Sequence, residues 1–458
     1  MREHCGLFGI SGHADAARLT YFGLYAQQHR GQESAGIAIW NGAKIRDIRA
    51  MGLVHDTFTE QHLSKDLSGS TGIGHVRYAS GGPATLRDAE PFLVHRGGLE
   101  LAIAHNGALV NGKSLRAELE QDGAIFHTRT DSELIAHLIV RKLNGNSLED
   151  AIIAACRRIR GAYSLVILAN DKLIGLRDPH GIRPLSIGKL GGASVLASET
   201  CAFDLLEADY IRTVKPGEMV VFGADASMKS FQILPEGETA EQLRCIFELV
   251  YFARPDSYVF NQNVYTARKR MGMQLAQEAP LEADLVMPFP DSGVYAAVGF
   301  ALQSGIPYEH ALIRNHYVGR TFIQPTQDMR DFSVRVKLNP VREAIKGKRI
   351  VIVDDSIVRG TTMRVRVKKL RELGAAEVHC RIACPPVINP CHYGVDFPSR
   401  SELIAAEHNV EDIRRFLGLD SLAYLSLDGM LSSVDRIGYC KACFDGEYGM
   451  DVSEVQRS

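Results

Sequence analysis

Gly347-Lys348-Arg349-Ile350-Val351-Ile352-Val353-Asp354-Asp355-Ser356-Ile357-Val358-Arg359-Gly360-Thr361-Thr362 is the stretch from which the fold of this chain can be read. Ile350 to Val353 is an unbroken β-branched run, the pattern of a strand buried on both faces of a parallel sheet. The run ends in two carboxylates, Asp354 and Asp355, and then a turn containing Gly360, Thr361 and Thr362. Behind the turn, Met363, Val367, Leu370 and Leu373 share one helical face, and Gly374 stands where a C-cap is expected. A strand-to-helix turn offers backbone N–H groups and the positive end of a helix dipole to a phosphate. Paired acids can hold Mg²⁺ or sugar hydroxyls. Together these suit a sugar phosphate carrying a metal-bound pyrophosphate.

The segment Asp354–Thr362 resembles the phosphoribosylpyrophosphate (PRPP) motif of type I phosphoribosyltransferases. A hydrophobic run ending in Asp also matches a Walker B strand of nucleotide hydrolases, and that alternative stays open. Upstream, Ala283 to Gly293 reads as a second strand closing on a small turn, with a helix from Val294 to Gln303 behind it. Two strand–turn–helix units point to a doubly wound parallel sheet. The resemblance implies that the Pro290–Gly293 loop holds pyrophosphate and that Ser292 lies near an Mg²⁺ ion with Asp354 and Asp355. It further implies that Arg359, Gly360, Thr361 and Thr362 bind the substrate phosphate. Asn315 to Thr326, extended through Arg330, Arg335 and Lys337, is a long polar segment of the kind that forms a lid.

The totals bound the rest. A chain of 458 residues, 45% apolar and 23% charged, has the balance of a globular protein with two or three domains. A net charge of −2 argues against a dedicated nucleic-acid binder. No apolar run approaches ~18 residues, and the first residues carry no hydrophobic signal core, so a membrane span is not expected. Nine cysteines, an odd number, read as reduced thiols and place the expected compartment in the cytoplasm.

Near the start, Cys5 is followed by Gly6 and an apolar alternation. An isolated Cys there is ordinarily a buried thiol. Exposed by loss of Met1–His4, it becomes a nucleophile whose own α-amine can act as its base, because amine and thiol titrate near ~8 and ~8.5. Its companions follow in order: Gln28 to Ile37, Gly74 to Ala79 with Arg77, His105-Asn106-Gly107 after the strand Leu101–Ala104, and Thr130 to Glu133 opening an amphipathic helix. Singly these read as a turn, a solvated Arg, an Asn-Gly turn and a helix cap. In this order behind Cys5 they resemble the class II, or N-terminal nucleophile (Ntn), glutamine amidotransferases. The resemblance implies that Cys5 attacks the glutamine amide and that Asn106 and Gly107 form the oxyanion hole. It implies that Arg77 clamps the α-carboxylate, Asp131 binds the ammonium, and Arg30 and His75 assist at the substrate site. Residues 1–4 form a short propeptide on this reading, removed autocatalytically.

Gly107 to Ser114 also matches G-x-x-x-x-G-K-[ST], with Lys113 in the lysine position, between a strand-like and a helix-like run. Paired with Ile350–Asp354 it makes a P-loop hydrolase hypothesis, which leaves Cys5, Arg77 and Asp131 unexplained. Arg177–Leu185 and Ala197–Thr200 are assigned to structure.

Leu234 to Thr239 is a Pro/Gly/acid break and the expected boundary. Cys245, Cys391, Cys440 and Cys443 remain, the last two as a C-x-x-C; by spacing they suit zinc or an iron–sulfur cluster equally. Cys156, Cys201, Cys380 and Cys384 read as core.

The whole chain resembles the iron–sulfur branch of the amidophosphoribosyltransferases. This implies an α/β multi-domain fold, an Ntn αββα sandwich followed by a type I phosphoribosyltransferase sheet. The divisions expected are 1–4, 5–235, 236–405, and a helical tail at 406–458. It implies transfer of glutamine-derived ammonia to PRPP through an internal channel, with glutamine and PRPP as substrates and Mg²⁺ and a [4Fe–4S] cluster as cofactors. Purine nucleotide feedback inhibitors and a homotetramer follow from the same resemblance; nucleic acid and membrane are not expected partners. A glucosamine-phosphate synthase would share only the first half, and a PRPP-sensing regulator would not need Cys5.

Overall fold

From the strand Gly6–Ser11, Leu7 and Gly9 face one way and Phe8 and Ile10 the other, all buried. This period-two alternation with both faces apolar requires a layer on each side. In the computed structural model, which describes residues 5–78, 85–223, 227–315, 338–395, 397 and 399–456, both layers are present.

Gly6–Ser11 is central in a seven-stranded antiparallel sheet, flanked by Thr71–Arg77 and Ala193–Ala197. A six-stranded antiparallel sheet, with Leu99–Leu109 and Gly161–Ala169 side by side, packs against it. Leu7, Ala38 and Ile73 from the first sheet meet Ala104, Val166 and Val220 from the second. Outside the first sheet lie the helices Ala16–Ala26 and Cys201–Leu206. Outside the second lie Asp131–Lys142 and Leu148–Cys156. The layers are αββα, as expected.

The second half carries a four-stranded parallel sheet in the order Leu285–Pro288, Arg349–Asp354, Glu377–Ile382, Ser421–Tyr424. The helix Thr361–Glu372 follows the second of these strands, buries Met363, Val367 and Leu370, and is closed by Gly374 at φ +90°. The helices Val264–Glu278 and Val294–Ser304 cross at Gly272 and Gly299. A Cβ on either would stand about 2 Å from a backbone oxygen of the other helix, so only glycine permits the crossing.

Three expectations are corrected. His105-Asn106-Gly107 is not a turn: pairing with Gly161–Ala169 carries the strand to Leu109, with Gly107 opposite Tyr163. Because Gly107 lies inside a strand and Lys113 is exposed at the start of a separate helix, there is no phosphate-wrapping loop at 107–114 and the P-loop reading falls. The segment 406–458 is not simply a helical tail, since Ser421–Tyr424 within it forms the fourth strand of the sheet. Of the expected lid, Asn315 to Lys337, all but Asn315 lies outside the described residues, as do Ala79 and Met1–His4.

Candidate active sites

The first centre forms where two strand ends of the facing sheets meet. Gly6 pairs with Val76 and Leu7 with His75, which brings His75 and Arg77 beside Cys5. His75 is fully buried; its Nε2 lies 3.1 Å from the His105 carbonyl oxygen and 3.5 Å from Glu90 Oε2. Glu90 accepts from His105 N at 2.8 Å and from Ser132 Oγ at 2.6 Å. Burial pushes the Cys5 thiol up, but His75, by charge and hydrogen bond, and Arg77 outweigh it, so the thiol lies below its ordinary range. Burial lowers the affinity of His75 for a proton; the charges of Cys5 and Glu90 outweigh it and raise the imidazole above its ordinary value.

Asn106 is wholly buried, and neither its Oδ1 nor its Nδ2 has a partner. A buried amide with nothing to bond costs ~1–3 kcal/mol per group, so this one is arranged for a ligand. Gly107, at φ +148°, lies so near the Ala162 carbonyl that any Cβ would overlap it. Arg77 gives Nη1 to the Asp88 carbonyl at 2.6 Å, while its buried Nε is unpartnered. Asp131 opens the helix Asp131–Lys142, and its Oδ2 accepts from Leu109 N at 2.9 Å. Burial raises the Asp131 carboxyl above its ordinary value. A cationic ligand beside it would reverse that shift.

Arg30 requires a correction. It is 1% exposed, and its guanidinium is taken up by the Cys5 carbonyl oxygen (3.2 Å), Glu248 (2.8 and 3.0 Å) and Glu199. It holds the backbone of Cys5 and is not a contact for a substrate.

The second centre is a cavity of about 1170 Å³ at the carboxyl end of the parallel sheet. Ser292, Asp354, Asp355 and Arg359 to Thr362 all line it, as the sequence led one to expect. The two loops are built against each other: a Cβ on Gly293 would stand 2.4 Å from the Val353 carbonyl oxygen. Gly360 adopts φ +71° and turns the chain into the helix Thr361–Glu372, leaving Thr361 and Thr362 exposed at its start. Arg359 reaches Glu402 at 2.7 Å on the rim. Burial, together with the charge of Asp355, raises the Asp354 carboxyl well above its ordinary value. Two adjacent buried acids that repel one another are suited to a divalent cation. Gln28 and His29 of the first half and Tyr251 to Arg254 complete the wall.

Cys245, Cys391, Cys440 and Cys443 line a third, small cavity with Phe247 and Tyr393. The register places Cys245 beside Cys440, and the Cys443 carbonyl accepts from Ile388 N and Asn389 N. Burial pushes the Cys245 thiol up to about 11, with Glu248 and Cys391 adding to the rise. Cys440 and Cys443 are raised by burial and by neighbouring thiols. Soft sulfurs lining one apolar pocket have the donor chemistry of a thiolate metal centre. Among the described residues no three His, Cys, Asp or Glu side chains are grouped for a single ion. Cys156 and Cys380 are buried core thiols with raised values.

One acid, Glu90, escaped the sequence reading, and a second, Glu199, was read only as part of a structural turn. Glu90 gathers the buried side of the first centre, and Glu199 accepts from His29 (2.8 Å), Arg254 N (2.8 Å) and Ser257 Oγ (2.8 Å). Neither has a sequence signal, since each partner comes from a distant segment.

Residues 80–204 match the model of a glutamine amidotransferase domain and residues 256–390 that of a phosphoribosyl transferase domain. The chain is 47% identical to the amidophosphoribosyltransferase of Bacillus subtilis (strain 168), over 99% of this chain and 95% of that protein. It is 50% identical to that of Synechocystis sp., over 99% and 92%, and 49% identical to the chloroplastic enzyme of Glycine max, over 99% and 80%. A solved structure of the allosteric regulatory enzyme of purine biosynthesis superposes with a TM-score of 0.92 at 46% identity, covering 98% of this chain and 97% of that one. So does the glutamine PRPP amidotransferase from B. subtilis complexed with ADP and GMP, with a TM-score of 0.91 at 46% identity and 98% of both chains covered.

Proposed function

The chain belongs to the amidophosphoribosyltransferase family, and on that premise we propose how its residues divide the work of transferring glutamine nitrogen to PRPP in the first step of purine biosynthesis. Cys5 Sγ attacks the glutamine amide carbon. The Asn106 amide and the Gly107 N–H receive the oxyanion, a contribution typically worth ~10²–10³ in rate per donor. Arg77 takes the α-carboxylate and Asp131 the α-ammonium, whose charge offsets the raised carboxyl. The free α-amine of Cys5, released with residues 1–4, relays the proton from thiol to departing ammonia.

Ammonia then displaces pyrophosphate from C1 of PRPP in the large cavity. The helix start at Gly360–Thr362 and Arg359 bind the phosphates, and Asp354, Asp355 and Ser292 would hold Mg²⁺, which neutralises pyrophosphate charge when bound. The chemistry here is positioning. Passage of ammonia inside the protein is supported by the cavity wall, to which both halves contribute. We place the division between halves at 235/236, and Cys245, Cys391, Cys440 and Cys443 would hold a [4Fe–4S] cluster with a structural role. Purine nucleotide inhibition and a homotetramer are our further readings, the first supported by the nucleotide-bound relative. Nine free thiols support the cytoplasm, although plant relatives are chloroplastic. Among the described residues no helix is long and apolar enough to cross a membrane.

The observation that carries this reading is the buried, unpartnered Asn106 amide, next in the chain to His105, whose carbonyl meets the His75 that acts on the Cys5 thiol. Its test is pyrophosphate release from PRPP by anaerobically purified protein, with glutamine or ammonium chloride as donor. Release with both donors is expected; release with neither, from folded protein, overturns it.

A further inference from the structure

Both ends of the glutamine centre are held from behind by one buried carboxylate. Glu248, wholly buried, begins the short helical turn Glu248–Phe252 of the second half. Its Oε1 accepts from Arg30 Nη2 at 2.8 Å and from Arg183 Nη1 at 3.2 Å, and its Oε2 accepts from Arg30 Nη1 at 3.0 Å. Arg30 passes the hold to the Cys5 carbonyl oxygen at 3.2 Å. Arg183 passes it the other way, donating Nη2 to the Tyr393 carbonyl at 2.9 Å and Nε to the same oxygen at 3.3 Å. The next residue, Gly394, lies directly against Gly107: a Cβ there would stand 2.9 Å from the Gly107 carbonyl carbon.

We propose that Glu248 is a positioning residue for the glutamine reaction, fixing Cys5 through Arg30 and the loop behind Gly107 through Arg183. The proposal rests on the reading of Cys5 and Gly107 as nucleophile and oxyanion donor. Its physical basis is that one carboxylate serves two guanidiniums in a site closed to water, where Arg30, Arg183, Glu199 and Glu248 balance two charges against two. An amide in place of Glu248 would turn an acceptor into a donor facing a guanidinium, so at least one of the three bonds must break. The same helical turn runs on into Tyr251 to Arg254, which line the large cavity.

Glu248→Gln and Gly394→Ala test this independently in the metal-loaded full chain. The first breaks the ionic hold. The second forces the loop off Gly107 and strains a residue at φ +101°. Displacing reacting groups by about 1 Å can cost ~10²-fold. In both variants we expect kcat for glutamine hydrolysis to fall about 10- to 10²-fold. KM for glutamine and the ammonium-dependent release of pyrophosphate are expected to stay within about twofold of wild type. A parallel fall of both activities would mark a merely structural role and overturn the proposal, as would an unchanged kcat. If the unsubstituted protein hydrolyses no glutamine, the reading of Cys5 fails instead, and the two failures are distinguishable.

Discussion

His75 Nε2 stands 3.5 Å from Glu90 Oε2, and both side chains are sealed from solvent beside the Cys5 thiol. The imidazole is thereby held above its ordinary pKa and the thiol below its own. The buried acid stabilises the cation, and the cation stabilises the thiolate.

The pH dependence of thiol reactivity follows. Alkylation of Cys5 by iodoacetamide, followed by mass spectrometry, should have its midpoint below that of an unperturbed thiol measured in the same way. His75→Gln should move the midpoint upward, because burial then acts on the thiol without the cation that opposes it. An unmoved midpoint would rule out the coupling.

Asn106→Ala should lower glutamine-dependent pyrophosphate release by ~10²–10³ while ammonium-dependent release persists. Cys5→Ala should remove the first entirely and spare the second. Steady-state assays with the two nitrogen donors separate these outcomes from general unfolding.

Asp354 is the case where stability and activity should part. Its folded pKa is raised, so above that value the buried charge destabilises the fold, and the penalty is relieved as pH falls through it. Asp354→Asn should therefore raise the melting temperature at pH 7 in the absence of ligand. It should also abolish pyrophosphate release and cancel the stabilisation that Mg²⁺ and PRPP together give the wild type. Calorimetry of both proteins with and without these ligands checks the sign.

If Cys245, Cys391, Cys440 and Cys443 hold a [4Fe–4S] cluster as proposed, anaerobically purified protein carries about four iron atoms per chain with matching acid-labile sulfide. Cys443→Ser should lose the visible absorption and lower the melting temperature. Elemental analysis returning a single zinc per chain would replace the cluster with a mononuclear site.

Local chemistry made the strand Arg349–Asp354, its acids and the helix behind them legible, because a β-branched run, a turn and a helical stripe are each short-range signals. Cys5, Arg77 and Asp131 were legible as residues; the strand register brings Arg77 beside Cys5, while Asp131 is placed by its bond from Leu109 N. What was hidden depends on distant partners. Nothing near His105-Asn106-Gly107 shows that Gly161–Ala169 will extend the strand past a turn-like Asn-Gly pair. Arg30 looked like a substrate contact because its two acids, Glu199 and Glu248, lie 169 and 218 residues further along the chain. Ser421–Tyr424 is too short and too mixed to announce itself, and only the exposed edge of Glu377–Ile382 gives it a place.

That last strand has a consequence for biosynthesis. The segment from Ser421 to Cys443 supplies both the outer strand of the parallel sheet and half of the cysteine quartet, and its Tyr439–Cys440 pairs with Arg244–Cys245. On the ribosome the first half can finish its layers while the second still has an open edge and an unfilled thiol pocket. A chain stopped before residue 421 would thus present Glu377–Ile382 as an unpaired strand, a template for association with other nascent chains. Synthesis of Ser421–Cys443, and not the emergence of the Asp354–Thr362 turn, sets the moment at which the second half can close its sheet and its thiol pocket.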